Sequence, residues 1–375
     1  MWGHAVTEEL PINLYEYERL AKDLISQPEW DFVEGGATDE ITINRTREAF
    51  DSIMLRPRML VDVDRRDLTT TVLGEKIDFP VMLCPAGHHN RAHSEGEIAT
   101  VRAANEMNVG MILSSGSSVV MEDVASASTR PIWFQQYFYR DQAMTELMAH
   151  RAEDSGYSAL CVTLDSSVQS KRERNIRNNY PRLATPNYDG MGSEEDFSVR
   201  SSYSPSSDDA PDNVTGLVSP KVTWEEFDWL GSKTDLPLIA KGVMTAEDAK
   251  LAVDHGVKAI IVSNHGGRNL DSTFATIEVL PEVAEIVDGK AEIYLDGGIR
   301  RGADILKAIA LGADAVLIGR PIFWGLAAGG TEGLKHLLGI LRDEFDSTMG
   351  LCGKPDIKSI DRTVVGRKSP LLDLI

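Results

Sequence analysis

The stretch EIYLDGGIRRGADILKAIALGADAVLIGRP, residues 292–321, decides the fold. Two short apolar runs, EIYLD (292–296) and AVLIGR (315–320), flank RGADILKAIAL, a segment of helical periodicity that closes at Gly312. The runs are continuous rather than alternating, which suits strands buried on both faces of a parallel sheet. The same rhythm extends back to residue 80: PVMLC (80–84), GMILSS (110–115), PIWFQQY (131–137), ALCVTLD (159–165), LIAK (238–241) and AIIVSN (259–264). Between them, SEGEIATVRAANEMN opens on a capping box at Ser94 and Glu97, and Thr245 caps AEDAKLAVDH, which Gly256 closes. Eight strands alternating with helices predict a closed (β/α)8 barrel, the TIM-barrel form of the α/β class, over an open doubly wound sheet.

A length of 375 residues would suggest more than one domain at ~150 residues each, but α/β barrels use ~250 or more as one unit. We expect a single domain over 1–375: a helical and extended cap across one end (1–79), the barrel (80–340), a loop at 180–220 and a C-terminal tail (341–375). Strands four and five are separated by residues 166–237, and SEEDFSVRSSYSPSSDDAPDNVT (193–215) is rich in Ser, Asp and Pro. That composition predicts a mobile loop, either a tolerated insertion or a lid.

Formal net charge is −20, which disfavours nucleic acid and anionic lipid as partners. A pocket for an anion would then need a local cluster of Arg and Lys. No run approaches ~18 apolar residues, so no membrane span is expected. The opening MWGHAVTEELPINLYEYE lacks a basic, then apolar, leader pattern, and SPLLDLI matches no retention or peroxisomal address. A cytoplasmic location is the expectation. Cys84 and Cys161 sit in apolar runs and read as small buried hydrophobes.

In such barrels the C-terminal strand ends carry the chemistry. Strand three ends in Gln135 and Tyr137, strand four in Thr163 and Asp165, and strand five in Lys241. Strand six ends in Ser263, Asn264 and His265, strand seven in Asp296-Gly297-Gly298, and strand eight in Gly319-Arg320. DGGIRRG and IGRP place glycines where backbone N–H groups can approach a phosphate, with Arg300 and Arg320 beside them. SNHGGRNLD (263–271) sets His265 three residues before Arg268, a base beside a fixed cation, as oxidation of a 2-hydroxy acid requires. His88, His89 and His93 read as a polar loop after strand one, not as metal ligands, and Glu97 as part of the Ser94 cap.

KGVMTAEDAKLAVDHG (241–256), SNHGGRNLD and the 292–321 stretch resemble the FMN-dependent 2-hydroxy-acid oxidases and dehydrogenases, which include glycolate oxidase, lactate oxidase and mandelate dehydrogenase. The likeness continues through EGGATDEITINRTREAF (34–50), AHSEGE (92–97) and RDEFDSTMGLCG (342–353). It implies FMN as cofactor, an L-2-hydroxy acid as substrate, oxygen or another electron acceptor as oxidant, and a homo-oligomer, often a tetramer. By the same resemblance Pro85, Ala86, Gly87, Ser114, Gln135 and Thr163 line the flavin, and Lys241 lies against its N1–C2=O edge. Asp296 matches the ribityl ligand, and Gly298, Arg300, Gly319 and Arg320 the phosphate site; Ser263 and Gly297 complete the cofactor set. His265 matches the catalytic base and Asp165 its supporting carboxylate. Arg172, Arg268 and Tyr137 match the groups that hold the substrate carboxylate.

Three positions depart from that pattern. Phe32 stands where the family usually has a tyrosine, so one donor to the substrate is lost. Gly116 replaces a bulky Trp of glycolate oxidases, which implies a wider pocket. Gly87 replaces an Ala of several oxidases, beside the flavin. Two competing readings are a flavin-dependent barrel isomerase without net redox and a non-catalytic flavoprotein. The His265/Arg268 pair argues against the first, and the intact Lys241, His265 and Asp165 against the second.

Overall fold

The structure is a computed structural model that describes residues 10–168, 170–180, 183–189 and 217–367, so the loop expected at 193–215 lies outside the described residues. Eight strands form the sheet: β1 (Val81–Leu83), β2 (Gly110–Ser114), β3 (Trp133–Gln136), β4 (Leu160–Thr163), β5 (Leu238–Val243), β6 (Ala259–Val262), β7 (Glu292–Asp296) and β8 (Ala315–Ile318). They pair in parallel in chain order, and β8 closes on β1 through Val316 opposite Val81 and Ile318 opposite Leu83. The eight apolar runs are these eight strands.

The pleat sorts each strand by parity. Met82, Ile112, Trp133, Cys161, Ile239, Ile261, Tyr294 and Leu317 fill the barrel interior as one buried cluster. Their neighbours Leu83, Leu113, Phe134, Val162, Ala240, Val262, Leu295 and Val316 point outward, into a second core beneath the helices. Two residues beyond each interior side chain, the next inward position falls on Cys84, Ser114, Gln135, Thr163, Lys241, Ser263, Asp296 and Gly319. An apolar plug is therefore topped by a layer that the pleat aims at the axis.

Three helices precede the barrel: α1 (Leu14–Leu24), α2 (Gln27–Glu34) and α3 (Ile41–Asp51). The strands are then followed in turn by α4 (Gly96–Met107), α5 (Met121–Ala127), α6 (Gln142–Asp154), α7 (Glu173–Arg177) with α8 (Trp224–Gly231), α9 (Ala246–Asp254), α10 (Thr276–Val287), α11 (Gly302–Ala310) and α12 (Arg320–Leu351). Thr245 caps α9 as expected, its Oγ1 accepting from the Asp248 amide at 3.2 Å. α12 breaks at Gly329–Gly330 and then runs unbroken through residue 340, packing on α1 and α4.

Two expectations are corrected. Ser94 does not cap α4, which begins at Gly96. Glu97 is fully buried instead; Oε1 accepts from the His89 and Ser118 amides at 3.0 Å, and Oε2 from Ser118 Oγ at 2.6 Å. Interior hydrogen bonding wins over the local cap because this carboxylate is out of water and must be satisfied. Second, the N-terminal segment does not cover one end only. Its hairpin, strands 70–72 and 75–77, plugs the barrel's N-terminal end, where Val72 and Ile77 join the interior cluster. Residues 32 and 33 meanwhile line the cleft at the opposite end. Among the described residues no helix is long and apolar enough to cross a membrane.

Candidate active site

The inward layer opens into a cleft of about 260 Å³ at the C-terminal strand ends. One of its polar groups is a buried chain. Lys241 Nζ donates to Ser263 Oγ at 2.9 Å and lies 3.3 Å from Asp296 Oδ2, and Ser263 Oγ donates to the same oxygen at 2.7 Å. Burial disfavours the ammonium, but the Asp296 and Asp165 carboxylates outweigh it and push the Lys241 pKa above the ordinary lysine range. Lys241 is thus a permanent cation in the cleft. On the neighbouring strands Ser114 Oγ donates to Gln135 Oε1 at 3.2 Å and Gln135 Nε2 to Thr163 Oγ1 at 3.0 Å.

His265 begins the turn after β6 with φ +56°, a left-handed conformation that costs a non-glycine residue energy. Its Nδ1 lies 2.8 Å from Asp165 Oδ1. A carboxylate there fixes the proton on Nδ1 and leaves Nε2 as the acceptor. Burial lowers the imidazole pKa; Asp165 opposes this without reversing it, so His265 is neutral at neutral pH. For Asp165 burial alone would raise the pKa, but His265 and then Lys241 bring it down to about 2. Asn269 fastens that carboxylate, its Nδ2 donating to Asp165 O at 2.9 Å, Asp165 Oδ1 at 3.2 Å and Ser166 Oγ at 2.8 Å. The close approach depends on Gly242 in a bulge of β5: at φ +107°, a Cβ there would sit 2.7 Å from Asp165 Cβ.

At the far end, Gly297-Gly298, Arg300, Gly319 and Arg320 share the cleft wall. The Arg300 guanidinium lies 4.6 Å over the Trp324 ring. Burial lowers its pKa, and the carboxylates of Glu34 and Glu18 counter this. Arg320 Nε donates to Val33 O at 3.1 Å and its Nη2 to Glu34 O at 3.2 Å, both at the C-terminal end of α2. Arg268 joins it there, Nη1 donating to Phe32 O at 2.6 Å and Gly35 O at 3.0 Å. Arg172 is tied to the same loop, through Nε to Arg268 O at 3.2 Å and Nη2 to Asn269 Oδ1 at 3.3 Å. The acidic chain therefore concentrates Lys241, Arg172, Arg268, Arg300 and Arg320 on one cleft.

Of the residues expected from sequence, Phe32, Pro85, Ala86, Gly87, Ser114, Tyr137, Arg172, Lys241, His265, Arg268, Asp296, Gly297, Gly298, Arg300, Gly319 and Arg320 line the cleft. Gln135, Thr163, Ser263 and Asp165 stand directly behind, each bonded to a lining residue or to that residue's partner. Sequence reading missed Asn269, although it lies inside SNHGGRNLD. It also missed His88, Asn175, Ile176 and Val218 on the wall. Val218 arrives because residues 217–219 pair back onto 138–140, a contact that no periodicity announces. Cys84, read as a buried hydrophobe, lines the cleft with Sγ 3.7 Å from Asp296 Oδ2.

Asp296 Oδ1 is buried with no hydrogen-bond partner among the described residues. An orphan carboxylate oxygen on a cleft wall calls for a donor from a bound group. A donor beside Asp296 and an anion between the glycine turns and the two arginines would satisfy these groups together. Fold and site thus define a (β/α)8 barrel whose C-terminal cleft sets glycine turns and arginines suited to an anionic group beside a His–Asp pair.

The chain belongs to the FMN-dependent dehydrogenase family, whose model matches residues 21–367. It is 44% identical to an L-lactate oxidase of Nostoc sp., over 94% of this chain and 97% of that protein. It is 42% identical to human 2-hydroxyacid oxidase 1, over 96% and 97%, and 42% identical to spinach glycolate oxidase, over 94% of each. Among solved structures, a mandelate oxidase with (S)-4-hydroxymandelic acid superimposes with a TM-score of 0.87 at 34% identity, over 96% of this chain and 99% of that one. The protein is an FMN-dependent oxidoreductase.

Proposed function

We propose that this protein oxidises an L-2-hydroxy acid to the 2-keto acid, with His265 as the base, and passes the electrons to oxygen, giving hydrogen peroxide, or to another acceptor. The observation that carries this reading is His265 on the cleft wall, its Nδ1 held 2.8 Å from Asp165 Oδ1. Nε2 is left to take a proton from the substrate, and Asp165 stabilises the imidazolium that results. Bound FMN supplies the two-electron acceptor. Asp296, Gly298, Arg300, Gly319 and Arg320 would hold it, and the Lys241 cation would face its ring. Arg172, Arg268 and Tyr137 are the groups that fix the substrate carboxylate.

The wall around Gly116 supports a longer or aromatic substrate side chain. A Cβ at Gly116 would meet nothing closer than Ser114 Oγ at 3.5 Å, so the glycine leaves usable space. The mandelate oxidase neighbours, solved with aryl acids, point the same way. We also propose a homotetramer, taken from the family resemblance, and a cytoplasmic location; light scattering and cell fractionation test them.

The test is anaerobic titration with a panel of 2-hydroxy acids, reading the flavin absorbance, followed by admission of air. Bleaching by aryl or long-chain acids and rapid recolouring are expected. No bleaching by any member would sink the assignment, and slow recolouring would replace oxygen with another acceptor.

A further inference from the structure

Helix α3 touches two parts of the site that lie on different strands. At its N-terminus, Asp271 Oδ1 accepts from the Thr42 amide at 2.8 Å. Asp271 Oδ2 accepts from Thr38 Oγ1 at 2.9 Å and from the Asp39 and Ile41 amides at 3.1 and 3.2 Å. Asp271 belongs to the SNHGGRNLD loop that carries His265 and Arg268, yet it does not line the cleft. Its bonds hold a turn in which Thr38 (φ +41°) and Glu40 (φ +60°) are both left-handed. An aspartate accepting from helix N-terminal amides is a strong local anchor; desolvation raises its carboxyl pKa, but the amides of Thr42, Ser272 and Ile41 and the Thr38 hydroxyl outweigh it and bring it down to about 2.

Toward its C-terminus the same helix grips the phosphate turn. Arg47 Nη1 donates to Gly298 O and, at 2.8 Å, to Asp304 Oδ2. Asp304 Oδ2 also accepts from the Arg300 and Arg301 amides at 3.0 Å. The helix packs closely on both turns. A Cβ at Gly298 would stand 2.6 Å from Thr46 Cγ2, and one at Gly267 would stand 2.8 Å from Ile43 Cγ1.

On the reading of 265–271 as the substrate loop, we propose that α3 is a strut that sets the phosphate turn and that loop in mutual register. Asp271 and Arg47 are its positioning residues. Anything that orders one end then orders the other, because an 11-residue helix transmits displacement as a rigid body. The coupling is reciprocal, so loosening the Asp271 end must weaken FMN binding at the remote phosphate turn.

The test is FMN affinity by flavin fluorescence on Asp271→Asn and Arg47→Gln, singly and together. Asp271→Asn is expected to raise the FMN Kd about tenfold. It should also shrink the rise in melting temperature that saturating FMN gives, which general destabilisation would leave unchanged. The double variant should lose less than the product of the single effects. An unchanged Kd in Asp271→Asn, or multiplicative losses in the double variant, would overturn the strut. Should the variants not fold, hydrogen exchange on the unaltered protein decides: FMN should protect the amides of 38–42 and 267–273 relative to the FMN-free form, and equal exchange refutes coupling. None of these readouts needs turnover, so a failure of the proposed reaction is seen separately, in the bleaching titration.

Discussion

The barrel side of the cleft takes its chemistry from the pleat, whereas part of the remaining wall is supplied by Phe32, Val33, Gly87, His88, Gly116, Arg172, Asn175 and Ile176, which no strand alternation positions. On the first side Lys241, Ser263 and Asp296 each follow an interior apolar residue by two, so a parity rule places them. On the second side Phe32 is held by a stack on Tyr180 at 4.9 Å and by the Arg91 guanidinium 3.6 Å over its ring. On the proposed function, the first region would set the reaction and the second the molecule that undergoes it. Substitutions on the two sides should therefore fail differently, the first in rate and the second in selectivity.

The largest effect is expected at the base. His265→Gln should keep FMN and slow flavin reduction by roughly 10²–10⁴-fold. Stopped-flow absorbance under nitrogen reads this, and undiminished reduction would remove His265 from its role. The pH profile adds a sign. Only the neutral imidazole accepts a proton, and burial holds its pKa below the ordinary value of 6.5, so the acid limb of kcat/KM should have its midpoint below pH 6.5.

Asp165→Asn sharpens the same side. Asp165 raises the His265 pKa, so its loss should move the acid limb to still lower pH while slowing reduction by about 10²-fold, because the imidazolium loses its partner. A limb that moved upward would contradict the pairing. Stability depends on pH with the same sign, over a lower range. The Asp165 carboxyl pKa is depressed to about 2, so its stabilising contribution is present above the ordinary carboxylate pKa and is lost as the pH falls through 2.

Across the cleft the effect should be one of selectivity. Gly116→Trp fills the open volume beside Ser114, so kcat/KM for an aryl 2-hydroxy acid should fall roughly 10–200-fold relative to that for a two- or three-carbon acid. Equal losses for both would show that the substrate side chain does not reach Gly116.

The difference between the regions also explains what the sequence could disclose. All eight strands were legible because continuous apolar runs report burial on both faces, and Gln135, Thr163, Lys241, Ser263 and Asp296 followed from where those runs end. Asp165 and His265 lie just beyond the last paired residues of the same strands, and for His265 the SNHGGRNLD segment added a second signal. Glu97 misled because a Ser-x-x-Glu spacing carries no information about burial, and burial decided its partners. Asn269, Val218 and the two-ended reach of residues 10–79 depend on tertiary pairing between distant segments. No local pattern encodes such contacts.

Phe32 offers the smallest and most discriminating change. Its ring lines the cleft, already fixed by Tyr180, by Arg91 and by Arg268, whose guanidinium carbon lies 4.9 Å from its centroid. A tyrosine hydroxyl added to a ring so held would cost little further ordering entropy. One donor to a carboxylate contributes ~1.5–3 kcal/mol, so Phe32→Tyr should lower KM for a small hydroxy acid about tenfold with kcat little altered. Steady-state kinetics on the two proteins measure this directly. An unchanged KM would place the substrate carboxylate away from the ring edge, and recognition would then rest on the Arg172, Arg268 and Tyr137 side. A fall in kcat without a change in KM would instead assign Phe32 to the reacting centre, and the division of labour between the two regions would not hold.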